Sequence, residues 1–440
     1  MRSSALSRRS VGLPTSWALL VIGLIVVHAY FDRQIVAVLA LPIKADLALS
    51  DVQLSLLTGL AFGLCVAVAM IPAGILADRY DRVHLLSGGV ALWSSMTVYG
   101  GFAGDFTHLF ISRLGVGLGE AIIVPTTFSL LGELFDDRRR SLAVAIVVSS
   151  APVGLGLASF LGGPLYEWVR RLGSYQVGAI RIEPWQITLI LTGAVGLLLG
   201  IACLTLHEPR RARRRQRRLG PYSSLPLTPA LRAQRALFAP FAAGFALFSV
   251  VGLGAIAWAP ALLTRSYGWP VGEAGLILGS SMIASGICGA HFAGWLSHRA
   301  AKYGKDATMP FMAVACGFVA ILFVAMPFAR SGIYAAVVLG SIPFFLYGSS
   351  TVGTSLLLRI APAGLRARLS ALLALVLAIA GSACGPTVFA FFSDSIFSGK
   401  DGLQDSIAFI GSFVLACASI LFIVASRALS RDTASIGVQS

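Results

Sequence analysis

Four charged side chains sit inside long apolar runs, where a membrane chain can least tolerate them: Asp32, Arg33, Arg113 and Glu120. A charge at the bilayer centre costs ~2.5–3.5 kcal/mol on insertion scales, so such a group usually lines a cavity and acts there. Asp32 lies about nine residues, or ~13 Å, from the outer end of its run, at 1.5 Å per residue. Arg113 lies about six residues, or ~9 Å, inside a run of opposite direction, which puts it at a similar depth. Arg113 and Glu120 are seven residues apart, two helical turns, and share a face. Glu120 then reaches about 20 Å down, near the midplane. Arg113 can pair with Asp32 on its own level, with Glu120 deeper and nearer a substrate path. His28, one turn before Asp32, shares its face. Arg33 points to another face, where snorkelling or a local pair would satisfy it.

The chemistry such a set offers is proton exchange. Desolvation raises the pKa of a carboxylate and a neighbouring guanidinium lowers it. Moving the guanidinium therefore decides whether the proton stays. Arg113 is the fixed cation, since guanidinium does not titrate here, and it can bind an anionic headgroup bidentately in competition with the carboxylates. The alternative is a permanent ion pair that only holds two helices together. The proton-responsive reading is preferred because midplane carboxylates are rare in purely structural roles. His28 is either a proton relay or a satisfied buried polar group.

The elements that position these groups are membrane helices. Only 12% of the 440 residues are charged and the mean hydropathy is +0.83, too apolar for a water-soluble domain. Apolar runs of spanning length fall near 17–41, 52–75, 83–104, 107–130, 139–166, 185–206, 237–264, 273–297, 308–328, 333–358, 367–393 and 405–427, twelve in all. With the N-terminus in the cytoplasm, 25 of the 34 Lys and Arg fall in cytoplasmic segments and 7 in outer loops, which places both termini inside. The net charge of +15 thus orients the chain in a membrane, and no nucleic-acid partner is expected. Six cysteines lie inside the runs without metal-ligand spacing, so no metal is expected. No cleavable signal is read at the start of the chain.

The chain also repeats itself. Gly74-Ile75-Leu76-Ala77-Asp78-Arg79 returns as Gly294-Trp295-Leu296-Ser297-His298-Arg299, 220 residues later. Two six-helix parts are expected, 1–206 and 236–440, joined by a basic linker over 207–235 that carries the arginine-rich run Arg210 to Arg218. The linker is read as a topology anchor, with anionic headgroups as alternative partners. The outer loop Glu167 to Glu183 carries three arginines against the charge rule, without explanation from sequence. Gly115, Gly117 and Gly119 follow no strand and sit in an apolar run, so they are helix-packing positions, not a nucleotide loop. No nucleophile–base pair or metal cluster lies in the runs, so an enzyme is not expected and neither is a cofactor.

Gly74-x-Leu76-Ala77-Asp78-Arg79-x-Asp81-Arg82 resembles the signature loop of the major facilitator superfamily, with Asp81 where that pattern usually has Gly. Arg113-x3-Gly117-x-Gly119 resembles its second motif, and Asp137-Arg138-Arg139-Arg140-Ser141-Leu142-Ala143 its usual connection between the fourth and fifth helices. Tyr30-Phe31-Asp32-Arg33-Gln34-Ile35, Leu76-Ala77-Asp78-Arg79-Tyr80 and Arg113-x-Gly115-Val116-Gly117-x-Gly119-Glu120-Ala121 resemble the spinster group of lysolipid and sphingolipid transporters. So does the stretch from Pro42 to Gln53. The likeness is sharp only in the first half of the chain. It implies an all-α, twelve-helix fold with alternating access, in which Asp32, Arg113 and Glu120 couple protonation to substrate.

Around this core, Asp78, Arg79 and Arg82, with Arg299 at the repeat position, are expected to form a cytoplasmic gate, Asp78 also capping a helix terminus. Phe344, Phe345, Tyr347 and Trp258 can line an apolar cavity for an acyl tail, alongside Arg113, Glu120 and His28, with core packing as the alternative. Pro152, Pro343 and Pro386 mark expected kinks. The expected protein is a monomeric secondary transporter of the bacterial inner membrane. It would use protons to move an amphipathic substrate such as a lysophospholipid or a sphingosine-phosphate-type molecule. A broad drug/proton antiporter is the alternative.

Overall fold

The computed structural model describes residues 15–177, 180–208, 235–302, 308–328, 331–360, 369, 372–373, 375–397, 399 and 401–437. The Arg210 to Arg218 run of the linker lies outside the described residues. In chain order the helices are α1 (Thr15–Val38), α2 (Ala40–Asp46), α3 (Asp51–Arg79), α4 (Arg82–Gly100), α5 (Phe106–Leu134), α6 (Asp137–Leu172) and α7 (Pro184–Cys203). They continue as α8 (Arg235–Tyr267), α9 (Val271–Lys302), α10 (Thr308–Ala325), α11 (Gly332–Ile360), α12 (Leu377–Ser395) and α13 (Gly402–Gly437). All but α2 and α4 are long and apolar enough to cross a membrane. The 19-residue α4 carries Arg82, His84, Ser87, Ser94, Ser95 and Thr97, which dilute its apolar character. It still runs about 28 Å, the thickness of a hydrocarbon core. The twelve-helix, all-α expectation therefore holds, with the short α2 turning the chain between α1 and α3.

The helix ends follow from local chemistry. Ser50 and Gln53 form a reciprocal capping box at the start of α3. Asp81 caps α4, its carboxylate accepting from the His84 N–H at 2.9 Å. Asp81, which stands where the resembling motif usually has Gly, thus starts the helix that follows the loop. Pro184 opens α7 behind the Glu183–Gln186 capping box. The expected kink prolines do not break their helices: α6 runs unbroken through Pro152 and α11 through Pro343. Pro386 sits at the start of a new α-segment, after a π-helical stretch over Leu377–Cys384. The arginine-bearing outer loop forms a two-stranded hairpin, β1 (Tyr175–Val177) against β2 (Ile180–Ile182), with Gln176 opposite Arg181.

Helices α1 to α7 enclose one buried apolar cluster, from Ala18 to Leu206. The second cluster fills α8 to α13 and runs across onto Ile35, Leu39, Ile43, Leu54 and Leu57 of the first part. The two parts are therefore packed together at the end of the bundle where Asp51 lies. Close backbone approach holds them there: α6 lies on α9 and α3 on α12. A Cβ on Gly163 would come 2.6 Å from the Val271 carbonyl, and one on Gly63 2.8 Å from the Ala383 nitrogen. Only glycine fits either crossing.

Candidate functional site

The chain brings its four intramembrane charges together as two crossed ion pairs. Neighbours on α1, Asp32 and Arg33 reach two residues of α5 that lie two turns apart. Arg113 Nη1 donates to Asp32 Oδ2 at 3.4 Å, and Thr97 Oγ1 donates to Asp32 Oδ1 at 2.6 Å. Arg33 Nη2 donates to Glu120 Oε2 at 2.6 Å. Asp32 is 0%, Arg113 1% and Glu120 3% exposed, so these are desolvated charges. The ring of Phe62 on α3 lies against the guanidinium groups of both pairs. The Arg33 guanidinium lies 4.3 Å from its ring centroid and that of Arg113 5.8 Å away. Tyr30 stacks on Arg33 from another side at 4.6 Å. A Cβ at Gly117 would fall 2.9 Å from the Phe62 carbonyl, so this motif glycine admits the α3 backbone that carries the ring.

The expectation for Asp32 with Arg113 is met, and that for Arg33 is corrected. Adjacent residues on a helix point about 100° apart, but the long arginine stem lets the charged head bend toward Glu120. Phe62 and Tyr30 carry no charge and were not singled out in the sequence. An aromatic residue about three turns into α3, facing a motif glycine, is the signal that would have found Phe62.

Arg33 and Glu120 line a cavity of about 280 Å³, walled on the other side by Phe245, Phe248, Leu253, Leu346 and Tyr347 of α8 and α11. The charges sit on one wall, and the facing wall is mostly apolar, with Tyr347, Ser350 and Ser382 as its hydroxyl groups. Tyr347 is where the sequence placed it. Arg113 and Asp32 lie outside the cavity lining. His28 is also absent from the lining. It is buried between α1 and α7, where its Nε2 donates to the Thr192 carbonyl at 3.0 Å. Trp258 is buried and donates to the Pro386 carbonyl at 2.9 Å, bracing α8 on α12. Phe345 packs against Phe344 and Phe318, at 5.2 and 5.8 Å between centroids, and is not in the cavity lining. His291 bonds the carbonyl one turn before it. Among the described residues, Arg113 Nε and Nη2 and Glu120 Oε1 are buried without a hydrogen-bonding partner. Buried donors in that state cost stability unless a transient partner satisfies them.

Beyond the cavity, the two ends of the bundle differ. At one end Asp51 accepts from Arg265 Nη1 at 2.5 Å and from Ser393 Oγ at 3.3 Å, and it also pairs with Lys44. The Val52 N–H donates to Asp394 at 3.1 Å, and Arg265 Nη2 to the Gly399 carbonyl at 2.8 Å. These bonds tie the first part of the chain to the second. Four of the cations that broke the charge rule are thus paired with acids: Lys44 and Arg265 with Asp51, Arg170 with Glu167 and Arg181 with Glu183.

At the other end Asp78 and Arg79 are exposed at the last turn of α3, and Arg299 lies over Trp295 at 5.7 Å. Arg82 does not fit the gate role. It is 3% exposed, and its guanidinium is committed to Glu133, Glu208 and Ser129, all before residue 209. It staples α4 to α5 within one part of the chain.

The chain resembles known membrane transporters at every level compared. It is 30% identical to an MFS-type efflux pump of Mycolicibacterium smegmatis over 65% of this chain and 63% of that protein, so the match spans less than two thirds of the pump. It is 25% identical to the mouse sphingosine-1-phosphate transporter SPNS2 over 83% of this chain and 68% of that one. Its fold matches the crystal structure of a bacterial homolog to the human lysosomal transporter Spinster, in an inward-facing and unoccupied conformation. The TM-score is 0.81 at 25% identity, covering 95% of this chain and 98% of the other. The spinster resemblance read in the sequence is borne out by these likenesses. The model of the Major Facilitator Superfamily matches residues 22–386, and the chain belongs to that superfamily of transporters, not to an enzyme family.

Proposed function

We propose that this protein is a proton-coupled transporter of an amphipathic, lipid-like anion, working by alternating access between the parts 1–206 and 236–440. The observation that carries this reading is the Arg33–Glu120 pair in a cavity whose facing wall is mostly apolar. An anionic headgroup that enters competes with Glu120 for Arg33. Glu120 is then left desolvated without its cation and takes a proton. Departure of the headgroup restores the pair and releases the proton. Asp32 and Arg113, outside the cavity lining, respond to the same cation moving and are the second proton site.

In this reading the Asp51 end faces outside and the Asp78 end the cytoplasm, with both termini inside a bacterial inner membrane. The closed Asp51 end and the likeness to an inward-facing relative support that assignment. Asp78, Arg79 and Arg299 then form the gate of the opposite state. The substrate reading is supported by a relative that carries sphingosine-1-phosphate. The efflux-pump relative favours a second reading, broad drug/proton antiport. Competition separates them. In proteoliposomes with an imposed pH gradient, lysolipids should displace one another while amphipathic cationic drugs leave their uptake unchanged. Transport of the drugs without lysolipid transport would overturn the lipid reading.

A further inference from the structure

A second hollow of about 290 Å³ lies between the starts of α8 and α12 and the end of α11. Its position is at the Asp78 end, because Arg265 and Ser393, at the far ends of α8 and α12, meet Asp51. Phe238, Phe241, Leu357, Leu369 and Leu373 form its buried walls, and Arg235 lies at its rim, exposed. The hollow continues the central cavity along the same two helices. Phe241 belongs to the hollow and Phe245 to the cavity, and their rings, 5.8 Å apart, form the septum between the two. Val376, just before α12, lines the hollow, and Leu377, the first residue of α12, lines the cavity.

Among the described residues that line the hollow, Arg235 is the one that carries charge. The sequence has no Asp or Glu from 209 to 272 or from 307 to 393, while Arg232, Arg235, Arg359, Arg366 and Arg368 fall in these stretches. An apolar slot with an arginine at its mouth disfavours a cation and fits one acyl chain bearing an anionic head.

We propose that this hollow is the loading site for the tail of the transported single-chain anionic lipid, holding it from the Asp78 end before the Phe241–Phe245 septum yields to the cavity. The proposal rests on the lipid reading of the central site. Wall residues then set chain-length preference and Arg235 sets head charge.

The test is a homologous series of lysophosphatidic acids with the full-length protein in proteoliposomes. Wild-type affinity should rise about four-fold per added methylene until the slot is full, then level off. Leu373→Trp should bring the plateau to shorter chains, and Leu373→Ala should carry it to longer ones. Arg235→Gln should weaken the lysophosphatidic acids about ten-fold and leave a neutral monoacylglycerol unchanged. The alanine variant keeps the question open to measurement if the tryptophan variant does not fold. An unchanged chain-length profile in a folded Leu373 variant overturns the loading site while the lipid reading stands. A resident lipid gives altered thermal stability with that unchanged profile, and overturns it too. Wild-type protein that carries no lysolipid overturns both.

Discussion

The residues that carry the account are four charges and one ring. Asp32 and Arg33 stand side by side yet serve different partners, and Phe62 lies against both guanidinium groups. The depth arithmetic on helical rise made the Asp32–Arg113 pair legible in the sequence. The Arg33–Glu120 pair was not, because face assignment from Cα positions ignores a stem long enough to cross a face. Breaking a buried pair on one side costs about 3–5 kcal/mol, because the other charge stays buried. Arg33→Gln should therefore lower stability in detergent by a few kcal/mol, and the double variant Arg33→Gln with Glu120→Gln should recover at least about 1 kcal/mol of it. A thermal double-mutant cycle checks this, and strict additivity would show that the two groups do not interact. Phe62→Leu keeps an apolar, smaller side chain and loses the ring; it should slow transport about 2–30-fold in keeping with the lost cation–π contacts, with the fold retained.

At the scale of elements, the sequence showed where helices lie more clearly than how they touch. Periodic apolar runs and turn residues marked the spans, while the glycines that let α6 meet α9 could be recognised only as packing positions, not assigned to partners. Gly163→Val should overpack that crossing by about 1–3 kcal/mol. Because the crossing belongs to the closed Asp51 end, a cysteine placed nearby should become more accessible to labelling in the variant. Unchanged labelling and stability would contradict the packing account.

The motif departure at Asp81 proved to be a helix cap. Partial burial pushes its carboxyl up, but hydrogen bonds from the His84 N–H and ring outweigh this and hold it below its ordinary value. The cap's contribution is therefore complete above the unfolded carboxylate value of about 3.9 and is lost as pH falls through the lower folded one. Asp81→Ala should cost about 1 kcal/mol at neutral pH and progressively less in acid, as thermal melts across pH will register. The hairpin over 175–182 was hidden from sequence because its short strands sit in a loop whose arginines drew attention as charges.

For the whole molecule, the sequence told of two related parts and a charge bias, and four of the seven exceptions to that bias turned out to be paired with acids. Lys44 and Arg265 on Asp51 close one end of the bundle and leave the cavity to be reached from the other. Asp51→Asn should weaken that closure, and spin labels across the Asp51 end should report a larger population of long distances than in wild type. The central claim is that Glu120 exchanges a proton for the substrate's head on Arg33. Its most direct test is the proton flux that accompanies lysolipid movement into proteoliposomes, read by a trapped pH dye in wild type and in Glu120→Gln. The account predicts a substrate-dependent pH change in wild type and none in the variant, which still binds the lipid. An equal pH change in Glu120→Gln would contradict it.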